Sequence, residues 1–260
     1  MDEEGSQRFI KQVFDLWVNP ELERRRASGA IVGRFELRAV QIVMNVGEPP
    51  RVRLNDEVRA IMFAKVPDAV RAHLRVGEPV YWDQVVDLTE VVLTDADPNA
   101  AHVTLVFRPG GAIHMSFDFR YNAARVADSL AVANEFWQTA KLASRKGHAH
   151  AFLENLFAAA ELVAKAQLSF LPDEELLRSR KHTAVASKIN LHRKLGNVDG
   201  AAVDLFNDLF AMRGVARYVH GELKQLSPSE MRRMLARVAL WLRRVRSSLP
   251  KRLPAKLRAA

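Results

Sequence analysis

The feature that most constrains this chain is a change in hydrophobic period near residue 120. Before that point, short apolar runs alternate with polar residues and are separated by Gly- and Pro-containing turns, a pattern typical of antiparallel strands. After it, Ala-rich segments place an apolar residue at every third or fourth position, which is typical of packed helices. The sequence therefore predicts an α+β protein, with a mixed domain containing β-hairpins over 1–120 and a bundle of about five α-helices over 121–249.

The N-terminal half combines two helices with several strands. Its first apolar residues recur at three and four positions, and its clearest hairpin alternates apolar and polar residues on both sides of the turn at 108–111. This alternation gives the hairpin one apolar and one polar face. The predicted segments are a helix over 9–17 that stops before Asn19 and Pro20, a strand over 31–46, a short helix near 67–74, a strand over 91–94 and a hairpin over 103–119.

The C-terminal half divides into helical segments at Gly and Pro residues. The last segment has the best start signal, because Ser227 and Glu230 form a capping box with proline at the first helical position. A single apolar seam from Met231 to Leu249 then runs along this helix, and its arginines lie mostly off the seam. The five predicted helices cover 122–146, 149–170, 173–195, 202–223 and 229–249.

Positive charge is concentrated at the C-terminal end. Residues 231–260 hold eight Arg, two Lys and no acid, so removing these ten cations from the net charge of +9 leaves −1 for the rest. Such a block favours a polyanion, an anionic membrane surface or an acidic partner, and the alternative is a solvated face with a frayed tail. Residues 250–260 are predicted to be a disordered basic tail. The candidate nucleic-acid-binding residues are Arg233, Arg237, Arg243, Arg244 and Arg246.

Several common functional classes leave no signature in the sequence. There is no Cys, which excludes disulfides, thiolate zinc sites and cysteine nucleophiles. Gly-rich phosphate loops, dinucleotide-binding fingerprints, nucleophile elbows and paired-histidine zinc helices are absent, so we predict neither a cofactor nor a bound metal. No apolar run is long enough to span a membrane, and the acidic start Met1-Asp2-Glu3-Glu4 differs from a secretory signal. These observations predict a cytoplasmic protein with no membrane span.

The most informative polar cluster is Arg213, Arg217 and His220 in the fourth helical segment. At about 100° per residue these positions fall within roughly 60° of arc, so two guanidinium groups and one imidazole share a face. Phe206 and Phe210 continue that face, and we interpret them as exposed aromatic residues of an interface. This trio suits a phosphodiester, because arginine binds phosphate oxygens and histidine can move a proton near neutral pH. The alternative is that the arginines pair with acids or neighbouring helices and that the histidine is a surface residue.

A second polar face lies on the second helical segment. Glu154, Glu161 and Lys165 share it with His150 at helical spacing. We interpret this face as solvated, with an ion pair between Glu161 and Lys165. The alternative is that its carboxylates are acidic partners of the arginine and histidine trio.

Two stretches of the C-terminal half resemble the HEPN family. The stretch FLENLFAAAELVAKAQL at 152–168 is similar to the family helix with a Leu-Glu-Asn start and an Ala-Glu pair. The stretch LFAMRGVARYVHG at 209–221 is similar to the family motif of Arg, four to six residues and His, with six residues between Arg213 and His220. The resemblance covers about residues 122–249 and does not extend to the N-terminal half.

The resemblance implies a helical bundle that dimerises and brings two Arg/His motifs together in a cleft. Many members are metal-independent ribonucleases of toxin or defence systems, and others are inactive binding modules. By this resemblance, His220 would act as general base or general acid, and Arg213, aided by Arg217, would stabilise charge on the phosphate. Gly214 stands where active members usually carry a polar residue.

The sequence thus supports two functional hypotheses. The first is an RNA-directed protein, a metal-independent endoribonuclease of a toxin or defence system, which acts as a homodimer on RNA or another polyanion. The second is a non-catalytic dimerisation or partner-binding module whose N-terminal domain recognises a ligand or a protein. The clustered trio and the basic C-terminal end favour the first hypothesis, and Gly214 favours the second.

Overall fold

A computed structural model describes residues 2–93, 98–108, 110–178, 181–217 and 226–249, with the backbone alone described at 89–92 and 215–217. The chain divides into two compact units, Met1–Phe119 and Arg120–Ala260. The first unit contains helices and antiparallel strands, and the described part of the second unit is helical. The predicted α+β class is therefore confirmed. No helix within the described ranges has the length and hydrophobicity that a membrane span requires.

The first unit opens with a longer helical segment than its sequence predicts. Helix α1 covers Glu3–Val13, a π-helical turn covers Phe14–Val18, and helix α2 covers Asn19–Ala27. The prediction that the helix stops before Pro20 is wrong. This proline lies in the first turn of α2, where its missing N–H removes no hydrogen bond that α2 needs. The π turn separates the hydrogen-bonding patterns of the two helices.

Six strands are present in the described part of the first unit. They are Ala39–Met44 (β1), Arg51–Leu54 (β2), Ala60–Lys65 (β3), Asp87–Leu93 (β4), Ala101–Phe107 (β5) and Ile113–Asp118 (β6), and a short helix α3 covers Asp68–Arg71. One antiparallel sheet has the strand order β2-β1-β5-β6, and a second consists of β3 and β4.

The strongest local signals of this unit are confirmed. The predicted hairpin is β5 and β6, with Phe107 opposite Ile113 beside the turn. The short helix near 67–74 is α3, and the strand at 91–94 corresponds to β4, which begins earlier. The predicted strand over 31–46 is too long, because only its C-terminal part, Ala39–Met44, pairs with neighbouring strands as β1.

The four-stranded sheet has two different faces. Its apolar face packs on the opening helical segment, where the rings of Phe9 and Phe117 lie 5.5 Å apart and those of Phe14 and Phe107 lie 6.1 Å apart. Alternate residues of the central strands β1 and β5 point the other way, and they include polar side chains. The packing of α1 on the sheet therefore uses the alternation that the sequence predicts for the hairpin.

A hydrogen-bonded chain of polar side chains lies on that second face. Gln41 and Thr104 are opposite each other in the strand register, and both are fully buried. Arg53 donates from Nη1 to Gln41 Oε1 at 2.9 Å, and Gln41 donates from Nε2 to the Arg59 carbonyl at 3.2 Å. His102 Nδ1 lies 3.2 Å from Thr104 Oγ1. Burial lowers the pKa of His102, against an opposing effect of the Asp118 carboxylate, so the buried ring is held neutral.

The second unit is a bundle of helices. The described helices are Ala123–Arg145 (α4), Ala149–Ser169 (α5), Glu174–Arg178 (α6), His182–Lys194 (α7), Gly200–Arg217 (α8) and Pro228–Ser247 (α9). Four of the five predicted segments correspond to one helix each, and the segment over 173–195 forms the two helices α6 and α7. The end of the fourth predicted segment, beyond Arg217, lies outside the described residues.

Helix α5 is the centre of this bundle and α9 closes it. Helix α5 contacts α4, α7, α8 and α9. The predicted capping box of α9 is confirmed, since the Ser227 side chain accepts from the Glu230 backbone N–H at 3.2 Å. The apolar seam of α9 is buried. Two indole N–H groups fix this packing, because Trp137 donates to the Leu235 carbonyl at 3.0 Å and Trp241 donates to Gln167 Oε1 at 2.7 Å.

Candidate functional site

Of the predicted trio of Arg213, Arg217 and His220, Arg213 is the residue whose side chain the structure describes. It lies near the C-terminal end of α8, and 18% of its side chain is exposed. The guanidinium carbon is 4.9 Å from the centre of the Phe157 ring, Nη2 is 3.3 Å from Nε2 of His182, and Nε is 3.8 Å from Glu154 Oε1. Among the described residues, Arg213 Nε has no hydrogen-bond acceptor although it is buried. The arginine is thus held by a ring, an imidazole and a carboxylate, with one N–H donor left unsatisfied.

His182 connects this arginine to a second carboxylate. It is the first residue of α7, and its Nδ1 is hydrogen-bonded to Glu161 Oε1. A carboxylate can only accept, so Nδ1 carries a proton, and Nε2 must then be unprotonated to accept from Arg213. Only the neutral tautomer with its proton on Nδ1 satisfies both contacts. Since 44% of the His182 side chain is exposed, solvent and solutes can reach this ring.

The floor of the cluster is aromatic. Phe157 is buried, and its ring centre lies 5.9 Å from both Phe206 and Phe210 and 6.0 Å from His182. The interpretation of Phe206 and Phe210 as exposed interface residues is wrong: the first is fully buried and the second is partly buried against the core. Both rings turn toward α5 because the helix packs on it along this face.

The carboxylates of α5 face the cluster. Glu161 bonds to His182, and Glu154 Oε1 lies near Arg213, so the interpretation of this helix face as solvated is wrong for both residues. The alternative that they are acidic partners of the site is the better description. Glu154 lies beside the guanidinium and Glu161 beside the imidazole, so an anion that enters the cluster competes with one carboxylate at each of these two groups.

The side chains of the remaining members of the predicted trio lie outside the described part of the chain. His220 is not among the described residues, and Arg217 is described by its backbone alone. Gly214 is exposed, and a Cβ atom added there would meet no described atom within 4 Å. The described residues therefore leave room for a side chain at this position.

Sequence reasoning missed His182 as a member of the site. The residue stands 21 positions from Glu161 and 31 from Arg213, and no local motif joins three helices. A usable signal was present on α5, where Glu154, Phe157 and Glu161 recur at three and four positions. A carboxylate, a ring and a carboxylate on one helix face suit a cationic or imidazole partner.

The candidate arginines of α9 fall into two groups. Arg237 donates from Nη2 to the Ala201 carbonyl at 2.7 Å, and Arg244 forms an ion pair with Asp199. The backbone N–H of Ala201, together with Arg244, holds the pKa of Asp199 below its usual value. Within the described ranges, the arginines of α9 that are exposed and make no ion pair are Arg232, Arg233, Arg243 and Arg246.

The described residues contain no group of three side chains placed to bind a metal ion. Comparison with known proteins adds no assignment to this geometry. No protein-family model matches the chain, and no curated protein matches it.

Proposed function

We propose that the helical unit is an RNA-directed, HEPN-like module that cleaves RNA without a metal ion. The observation that carries this proposal is the contact of Arg213 with the solvent-accessible imidazole of His182, beside a buried guanidinium N–H for which the described residues supply no acceptor. A phosphodiester offers an anionic oxygen for the guanidinium and a proton-transfer step for the imidazole. The resemblance of 152–168 and 209–221 to the HEPN family supports the same chemistry.

The reaction needs no group beyond those of the chain and the substrate. A neutral imidazole removes the proton from a ribose 2′-hydroxyl, whose oxygen attacks the adjacent phosphorus. The bond from phosphorus to the 5′-oxygen breaks, the leaving oxygen takes up a proton, and a 2′,3′-cyclic phosphate remains. Arg213 stabilises the charge on the phosphate oxygens. Glu161 keeps His182 in the tautomer that can act as the base, while the resemblance assigns the acid or base role to His220.

We further propose that the active form is a homodimer formed through the helical unit. Two copies would bring two pairs of Arg213 and His182 to one substrate. An acidic protein partner that neutralises the basic α9 is compatible with the same assembly.

The test is cleavage of single-stranded RNAs in EDTA. Arg213→Ala and His182→Ala are expected to lower the rate at least about 100-fold, since each removes a charge-stabilising or proton-transferring group. His192→Ala is the matched control, because His192 lies on the same helix and contacts Asn197 rather than the cluster. A rate lost in His220→Ala but kept in His182→Ala would assign the proton transfer to the former. Absence of cleavage across a broad RNA panel would refute the nuclease proposal.

A non-catalytic binding module is the second candidate. It is favoured by the fact that Arg213, His182 and Glu161 already contact one another, as a structural network does. In that case, Arg213→Ala would lower the stability of the helical unit. Neither the wild-type protein nor the variant would cleave RNA. Thermal unfolding of the variant, measured beside its RNA cleavage, separates the two candidates.

A further inference from the structure

Helix α9 carries arginines on both sides of its buried seam. On one side, Arg237 and Arg244 are engaged by the Ala201 carbonyl and by Asp199 at the start of α8. On the other side lie Arg232, Arg243 and Arg246, which we call the open arginine edge. All three are exposed, and none of them forms an ion pair with a described residue.

The open arginine edge is a continuous strip. At about 100° per residue its three arginines fall within roughly 60° of arc, and the strip is about 21 Å long. Ala236 and Ala239 occupy the positions between them, so no bulky side chain separates the guanidinium groups along the strip. The last acid before the strip is Glu230 in the capping box, and none follows in the sequence. On α9 itself, a ligand lying along this edge meets the three arginines and the two alanines.

We propose that the open arginine edge binds the sugar-phosphate backbone of single-stranded RNA, independently of base sequence. The choice of RNA rests on the proposed function. Guanidinium groups bind phosphate oxygens in pairs of hydrogen bonds, and neutralising phosphates releases counterions. The two alanines allow the backbone to approach the helix between the arginines. Arg237 and Arg244 contribute little, because their guanidinium groups already have partners in the protein.

Two other partners fit this edge less well. A membrane-surface helix inserts an apolar face, but the apolar face of α9, including Met231, Leu235 and Val238, is buried in the bundle. A stable protein interface needs aromatic or aliphatic anchors at its centre. The open arginine edge consists of arginine and alanine, and Leu240 beside it is a single exposed apolar side chain on α9. A flexible polyanion with regularly spaced charges requires neither feature.

Binding of a 2′-O-methyl RNA tests the proposal, because this RNA lacks the attacking hydroxyl and cannot be cleaved. A fluorescein-labelled single strand is titrated with full-length protein over a series of KCl concentrations. For Arg243→Ala/Arg246→Ala, the slope of log Kd against log[KCl] is expected to fall by about 1.4, or about 0.7 for each lost phosphate contact. The matched variant Arg237→Ala/Arg244→Ala removes the same charge and is expected to keep the wild-type slope. Its thermal unfolding temperature should fall, because its ties to α8 are lost.

The outcomes separate this proposal from the nuclease proposal. Equal slopes in the two double variants, or a slope unchanged in the open-edge variant, would overturn the assignment of this edge. If the wild-type protein binds phosphatidylserine vesicles but no RNA, the ligand is an anionic membrane surface and both proposals are overturned. If the slope falls in the open-edge variant and not in the matched variant, and the wild-type protein cleaves no RNA, the proposal for the open arginine edge is supported and only the nuclease proposal is refuted.

Discussion

The polar cluster of the sheet unit is closed to solvent, whereas the candidate site of the helical unit is open to it. In the sheet unit, Gln41, Thr104 and His102 lie inside the protein, with exposures of 0%, 0% and 6%, and they bond to one another or to the backbone. In the helical unit, His182 and Arg213 lie at the margin of an apolar core, and 44% of the His182 side chain is exposed. A polar group sealed inside a protein serves folding, since its partners are fixed and no solute reaches it. A half-open group with an unsatisfied neighbour can exchange a partner for a ligand.

The largest effect on stability is expected at Phe157, the aromatic floor of the cluster that contains Arg213 and His182. Phe157→Ala should lower the free energy of unfolding by about 3–5 kcal/mol, because the ring is buried and packs against two further phenylalanines. Urea denaturation followed by circular dichroism measures the change. Phe157→Leu keeps most of the volume and should cost less than half as much. A loss below about 1 kcal/mol for the alanine variant would contradict the description of this floor as core.

The buried polar chain should be nearly as sensitive. Gln41→Leu is expected to lower the free energy of unfolding by about 1–3 kcal/mol, since the fully buried amide of Gln41 no longer bonds to the Arg59 carbonyl and the Arg53 guanidinium. The same denaturation experiment applies, with the exposed residue Gln138 changed to Leu as the control. If both substitutions changed the free energy of unfolding equally, the hydrogen bonds of the buried Gln41 side chain would contribute nothing to stability.

The buried imidazole predicts a pH dependence of the sheet unit. The pKa of His102 is lowered by burial, whereas the unfolded chain titrates at its ordinary value of 6.5. Below that pH the unfolded state binds the additional proton, so the free energy of unfolding falls as the pH falls, by up to about 1.4 kcal/mol per pH unit. Unfolding free energies measured from pH 7 to pH 5 test this. His102→Gln should lower the slope in that window and leave the part due to His114, whose pKa burial also lowers. An unchanged curve would contradict the assignment.

The open cluster should show the smallest effect on stability. His182→Gln is expected to change the free energy of unfolding by less than about 1 kcal/mol, because the side chain is half exposed and glutamine can still hydrogen-bond. RNA cleavage by this variant should nevertheless be lost, since glutamine cannot transfer the proton. A large loss of stability would place His182 with Gln41 as a structural residue.

Local signals in the sequence predicted local structure well. The hairpin of β5 and β6 follows from its glycine turn and strict alternation, and the start of α9 follows from Ser227 and Glu230, because both depend on neighbours in sequence. Pro20 is the exception, since proline ends a helix when it is interior but is tolerated in a first turn, and here a new helix begins at Asn19.

The candidate site was only partly accessible to such reasoning. Arg213 was found from its spacing on α8, and the carboxylates of α5 were noticed without their partners. The contact of His182 with Glu161 arises from packing between α5 and α7, which no periodicity encodes. The burial of Phe206 was mispredicted for the same reason, because a helix wheel does not tell which neighbour covers a face. The placement of His220 remains a prediction.

The two contacts between α9 and the start of α8 have a consequence for sequence variation. Arg237 and Arg244 join α9 to the start of α8 at two positions that are seven residues apart. These two contacts help to fix the rotation of α9 about its own axis. Arginines on the far side can then be exchanged singly without turning the helix. Selection can thus change the positive charge of the open arginine edge one residue at a time, while the contacts between α9 and α8 stay the same.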